Sequence, residues 1–183
     1  LEKVRKFSKI RVWSGYIFLL VVILLAEPTL PNLVVGSIFF FFGLIIRILA
    51  AGTLVKADEL VTGGIYQMTR NPLYLGSLFL GLGLTIMSNQ PFLILLYFII
   101  FIPIYNHMIK LEEDFLHRAF GMDFEEYAVR VPKLLPAPGA PPGLLVNFSL
   151  KRYKTNREFT GNIATLIVAI YIWLKFYYPN LPM

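Results

Sequence analysis

The chain has 183 residues, 57% of them hydrophobic, and a mean hydropathy of +0.66. Soluble domains run nearer about 45–50% apolar, so the excess points to bilayer spans rather than a water-soluble core. There is no cysteine, which excludes disulfides, thiolate catalysis and cysteine metal sites; His107 and His117 are the only imidazoles, too few for a histidine-rich metal centre. The formal net charge is +6.

Five apolar stretches follow in chain order, near residues 13–26, 33–55, 73–87, 91–109 and 163–178. About 20 residues cross a hydrocarbon core of about 30 Å, so the first and third borrow flanking residues. The first run ends Leu24-Leu25-Ala26-Glu27-Pro28, a poor small-residue cleavage site, and reads as a retained helix rather than a signal peptide. Only Ser88, Asn89 and Gln90 separate the third and fourth stretches, which predicts a tight helical hairpin. Arg47 and Lys175 interrupt the second and fifth; either could face the bundle or snorkel. The other fifteen of the seventeen lysines and arginines lie before the first stretch, between the second and third, or between the fourth and fifth. The opposite loops carry none, so the positive-inside rule places the N-terminus and the basic loops in the cytoplasm. The charge is thereby a topology signal, and no nucleic-acid partner is needed to explain it.

Two long segments remain on the basic side, residues 56–72 and 110–160. In the first, Gly63-Gly64 permits a tight turn, and Asn71-Pro72 fits a helix start with asparagine as N-cap. In the second, Glu112, Glu113 and Asp114 follow directly on an apolar stretch, with Glu112 nearest the bilayer. Phe124, Tyr127, Ala128 and Val131 form one face of a short helix. Residues 131–143 are rich in proline and glycine and cannot be regular helix. They divide a core at 1–136 from a tail at 137–183, whose basic stretch suits a membrane surface and whose last apolar stretch is a fifth span near 162–179.

The run LVTGGIYQMTRNPLYLG, followed by Glu112-Glu113 and by Phe120-Gly121 through Tyr127, resembles the signature of the isoprenylcysteine carboxyl methyltransferase and phospholipid N-methyltransferase superfamily. That signature is roughly L-V-x-x-G-x-Y, R-H-P-x-Y-x-G, E-E and F-G-x-x-[FY]-x-x-Y, and the resemblance covers residues 57–136. It implies an all-α integral membrane bundle of about five transmembrane helices, with cytoplasmic segments covering the cofactor S-adenosyl-L-methionine. Carried over, Leu60, Val61 and Tyr66 line the cofactor site, Asn71, Pro72, Leu73 and Tyr74 hold it, and Glu112 meets its polar end. A sulfonium and an ammonium suit aromatic faces and a carboxylate.

Methyl transfer needs alignment and exclusion of water more than acid–base groups. Arg70 and Tyr74 are the catalytic candidates, Arg70 orienting an oxygen of the acceptor or, alternatively, only snorkelling. Arg130, Met108 and Glu113 are the acceptor-side candidates. Two positions depart from the family: Asn71 stands where it usually has histidine, and Met108 where the carboxyl methyltransferases have an arginine. The implied acceptor is lipophilic. It is an isoprenylcysteine-like carboxylate or, alternatively, a phospholipid amine or another lipid or thiol. A non-enzymatic scaffold or transport subunit is the rival class. The oligomeric state is open.

Overall fold

A computed structural model describes residues 2–55, 59–136, 143–156 and 158–179, and side chains from Phe7 onward except Ser8. Its regular elements are helical: α1 Glu2–Leu25, α2 Leu30–Thr53, α3 Pro72–Met87, α4 Pro91–Phe120, α5 Met122–Arg130, α6 Leu150–Thr155 and α7 Phe159–Tyr177, with a 3-10 turn at Gly64–Gln67. Prolines stand in the first turns of α2, α3 and α4, where a missing N–H breaks no helical bond.

Each of the five apolar stretches falls on a helix: α1, α2, α3, α4 and α7. Three of these, α2, α4 and α7, are long and apolar enough to cross a membrane; α3, at 16 residues, is apolar but shorter. Two helices exceed the stretches that announced them. The basic prefix is already helical from Glu2, and α4 runs eleven residues past Ile109, because nothing breaks it before Gly121 at φ +51. That extension carries Glu112 and Glu113 outward on a rigid rod.

Glycine sets the closest helix pair. A Cβ on Gly83 would lie 2.7 Å from the carbonyl oxygen of Gly36, and one on Gly43 would lie 2.6 Å from that of Gly76. The two helices therefore touch backbone to backbone at two levels, which small residues alone allow. Around this pair, Phe18, Phe40, Leu84, Tyr97, Phe101 and Ile172 bury into one core drawn from five helices. The outer faces stay apolar: Ile38, Leu95, Ile99 and Ile167 are 61–64% exposed, a surface that water disfavours and lipid tails accept.

The end opposite the basic loops is closed by hydrogen bonds. Glu27 N donates to Ser88 O at 2.9 Å, and Asn32 Nδ2 donates to Asn89 Oδ1 at 2.6 Å. At the basic end the tail folds back. Phe148 lies over Gly52, and Asn156 Nδ2 donates to the carbonyls of Ala51 and Leu54 at 2.8 and 2.9 Å, satisfying acceptors that the end of α2 leaves open. Trp173 Nε1 donates to Ser37 Oγ at 3.1 Å and ties α7 to α2. Residues 131–136 are irregular, as their prolines demand; residues 137–142 lie outside the described residues.

Candidate functional site

The loop before α3 is shaped by Gly64, which sits at φ +60 and whose absent Cβ would stand 2.8 Å from Val146 O. Only glycine meets both demands at low strain. The turn it opens buries Ile65 and Tyr66, and Val61 and Leu73 pack on the same patch with Ile46, Ala50 and Leu75. Leu60 is half-buried just before it. Tyr127 Oη donates to the carbonyl of Tyr66 at 2.7 Å. Burial first, and nearby negative groups second, push the Tyr66 phenol far above its ordinary range; burial likewise raises Tyr127. Both rings stay protonated, which keeps Tyr127 a donor.

The next three residues are clamped against the far side of the site. Arg70 N donates to Pro132 O at 3.0 Å, its Nε donates to Glu113 Oε1 at 3.0 Å, and its Nη1 donates to Ala128 O. Asn71 Nδ2 donates to the same Glu113 oxygen at 3.1 Å and to Lys133 O at 2.9 Å. Thr69 Oγ1 donates to Lys133 O at 3.3 Å. Asn71 does stand at the N-cap of α3, with Pro72 at N1, but its side chain makes no capping bond. The expected cap is corrected: the amide turns outward because Glu113 and Lys133 O offer it two acceptors at once. With the Arg70 and Glu113 side chains 14% and 19% exposed, the pair is largely withdrawn from solvent.

Glu112 precedes Glu113 on α4 and so points about 100° away. It accepts from Tyr74 Oη at 2.6 Å, a charge-assisted length. The Tyr74 ring meets Tyr105 edge-on at 5.5 Å, and the Arg11 guanidinium lies 5.6 Å from its centroid. Two adjacent carboxylates thus divide the work: Glu113 fastens the loop, and Glu112 stands in an aromatic corner suited to a cationic group.

Beside that corner is a cavity of about 480 Å³ between α1, α2, α3, α4 and α7. Arg11, Arg47 and Glu158 give it polar walls; Phe18, Leu84 and Phe101 give it apolar ones. Arg47 is not lipid-facing. Its Nε donates to Asn162 Oδ1 at 2.7 Å, its Nη2 to Glu158 Oε2 at 2.7 Å and its Nη1 to Ser77 Oγ. Lys175 is half-buried in the last turn of α7, where the helix dipole favours a cation.

The residues singled out from the sequence therefore divide. Tyr66, Asn71, Tyr74, Glu112 and Glu113, with Pro72 and Leu73 in the first turn of α3, lie where the loop, α3 and α4 are joined by the bonds above. Arg70 is there too, with its charge already met by Glu113. Met108 is buried in the core at 2% exposure. Arg130 faces outward on α5, its side chain 73% exposed and beside Glu126. His107 is exposed and rests on Phe7, ring centroids 4.1 Å apart. Sequence reasoning missed Arg11, Tyr105, Glu158 and Asn162. A signal existed for two of them: an arginine inside an apolar stretch needs partners, and Glu158 and Asn162 flank the start of the last one.

A family model described as phospholipid methyltransferase matches residues 29–123. A probable protein-S-isoprenylcysteine O-methyltransferase of Oryza sativa subsp. indica is 30% identical over 114 residues, covering 56% of this chain and 60% of that protein. Protein-S-isoprenylcysteine O-methyltransferase B of Arabidopsis thaliana is 35% identical over 78 residues, covering 43% of this chain and 40% of that protein. The cobalt-zinc-cadmium resistance protein CzcN of Cupriavidus metallidurans is 37% identical over 81 residues, 44% of this chain and 37% of that protein. The chain thus spans 37–60% of the length of these relatives. No solved structure matches it. The matched segment runs from the start of α2 into α5 and holds the motif loop, Arg70, Asn71 and both carboxylates: the chain belongs to the phospholipid methyltransferase family.

Proposed function

We propose that the chain is an integral membrane methyltransferase that uses S-adenosyl-L-methionine to methylate a lipophilic acceptor, with its basic helix ends in the cytoplasm. The observation that carries this reading is the join between α3 and α4, where Tyr74 and Glu112 meet at 2.6 Å beside the clamped motif loop. The donor set fits the cofactor. A carboxylate with two aromatic rings suits its ammonium and sulfonium, and the buried turn at Leu60, Val61 and Tyr66 offers an apolar wall for its base. When bound, the cofactor supplies a methyl group already activated by positive sulfur.

The chain's own residues then have to align and exclude water. Glu112 and Tyr74 hold the donor's polar end. Arg70, with Asn71 and Glu113, keeps the loop closed over it, which makes Arg70 a positioning residue. The cavity receives the acceptor from the bilayer side, its apolar walls taking the tail. A volume of about 480 Å³ falls within the range of about 300–1,000 Å³ typical of small-molecule sites. The acceptor favoured by the relatives' names is an isoprenylcysteine-like carboxylate, methylated on oxygen. The family model's description favours a second reading, methylation of a phospholipid amine.

Equilibrium binding of S-adenosyl-L-methionine to the purified chain tests the proposal. Glu112→Ala is expected to weaken it at least about tenfold, or about 1.4 kcal/mol. No binding by the wild-type chain at near-millimolar cofactor would sink the methyltransferase reading in favour of a scaffold or transport protein. Mass spectrometry of lipids labelled from a deuterated methyl donor separates the acceptors: label in a prenylcysteine ester marks O-methylation, label in a phospholipid headgroup marks N-methylation.

A further inference from the structure

Two arginines line the cavity, and they are in different states. Arg47 is matched by Glu158, Asn162 and Ser77. Arg11 is half-buried on α1, and among the described residues no carboxylate lies within ion-pair distance of it; the Glu112 carboxylate acts on it only through space, its oxygen bonded to the Tyr74 hydroxyl. The contact of its guanidinium is the face of Tyr74, the same ring whose hydroxyl bonds Glu112. An arginine partly withdrawn from water beside apolar walls gains from an anion, and its planar fork suits a carboxylate or phosphate.

The wall beyond Arg11 says what the anion is attached to. One helical turn on, Gly15 lines the cavity, and a Cβ there would meet nothing within 4 Å. Phe18 follows, about 10 Å along α1 from Arg11 at about 1.5 Å per residue. Phe101 and Leu84 close the same side from α4 and α3. The cavity is charged beside Tyr74 and apolar further along α1, the polarity of a lipid with an anionic head.

We infer that Arg11 is the anion-recognising residue of this cavity, holding the carboxylate or phosphate of a lipid whose tail lies along Gly15 and Phe18. This rests on the reading that the cavity takes the methyl acceptor, and deepens it by assigning the acceptor a negative charge. The two sources of that charge have different consequences. If a carboxylate is itself methylated, its oxygen forms the new C–O bond as the donor's C–S bond breaks. Sulfonium and carboxylate charges vanish together, no proton moves, and the neutral ester loses its hold on Arg11. If a phospholipid amine is methylated, its ammonium first gives a proton to solvent, its nitrogen then forms the new C–N bond as the donor's C–S bond breaks, and the phosphate keeps its charge throughout.

The test is a binding measurement on the full chain in neutral detergent, with no methyl transfer required. Two pairs of probes are titrated: N-acetyl-S-farnesylcysteine against its primary carboxamide, and dioleoylphosphatidylethanolamine against dioleoylglycerol. The wild-type chain should bind the carboxylate- or phosphate-bearing member of one pair at least tenfold more tightly. Arg11→Met should bring that preference within twofold of unity while leaving affinity for the other member unchanged, which also reports an intact cavity. Arg11→Lys should keep most of the preference. A preference confined to the farnesyl pair assigns the carboxylate, and one confined to the phospholipid pair assigns the phosphate. No preference in the wild type, or one that survives in Arg11→Met, overturns the inference. The outcome is independent of cofactor binding, so a chain that ignores S-adenosyl-L-methionine yet discriminates through Arg11 would refute the proposed function alone.

Discussion

Two polar clusters hold this molecule, each built from an arginine, a glutamate and an asparagine. In the loop cluster, Arg70 and Asn71 converge on Glu113. In the bundle cluster, Arg47 reaches Glu158 and Asn162. They differ in what they join. Arg70 and Asn71 are chain neighbours, and their partner fastens an irregular loop to the end of α4. The partners of Arg47 lie on or beside helices far apart in the chain, so that cluster fastens α2, α3 and α7 to one another. The first holds the motif loop against the end of α4; the second keeps the bundle assembled.

If that contrast is right, breaking the bundle cluster has the larger effect on stability. Arg47→Ala leaves Glu158 facing a cavity without its cation and Asn162, only 4% exposed, without one partner. The expected loss is about 3 kcal/mol, near the low end for a broken buried pair because Glu158 keeps some solvent. It would appear as a lower thermal midpoint in detergent, and an unchanged midpoint would make the cluster ornamental. Arg70→Ala should cost less, about 2 kcal/mol, because the charged hydrogen bonds it loses fasten a loop rather than one helix to another. Its larger consequence should be in cofactor affinity, weakened at least tenfold by calorimetric titration. Equal effects of Arg47→Ala and Arg70→Ala on both readouts would erase the distinction.

Asn71→His is milder. A ring N–H can still donate to Glu113, so affinity for S-adenosyl-L-methionine should stay within about threefold, whereas Asn71→Ala should fall below it. The smallest effect belongs to Arg130→Ala. An exposed i,i+4 pair contributes about 0.5 kcal/mol or less, so neither stability nor affinity should move measurably.

The same contrast explains what could be read in the chain beforehand. The loop cluster is local and motif-borne: Arg70, Asn71 and the adjacent acids are a short pattern, and pattern alone pointed to Tyr74 and Glu112. The division of labour between Glu112 and Glu113 was less legible. It follows from α4 staying helical past Ile109, which sets the two carboxylates about 100° apart. The bundle cluster depended on which helices become neighbours, and periodicity does not carry that. Arg47 stood out as an anomaly, but its partners lie 111 and 115 residues away. Arg11 was counted only as a topology signal, because a basic prefix before an apolar run has an adequate explanation without any inward-facing role. Arg130 also lies inside the motif, and its side chain turns outward on α5.

One feature of the fold limits how the cavity can breathe. Where Gly36 meets Gly83 and Gly43 meets Gly76, backbone meets backbone, with the Met87 and Arg47 side chains packed over the glycines. Such a seam has few rotamers to change and little compliance, so α2 and α3 behave as a single stiff beam. The beam carries Arg47 one turn from Gly43 and Ser77 next to Gly76, which makes it a vernier: a slip of one turn would misplace Ser77 and Asn71 together. A bulky guest must therefore be accommodated by the opposite walls, α1 and α7, whose contacts with the beam run through deformable side chains.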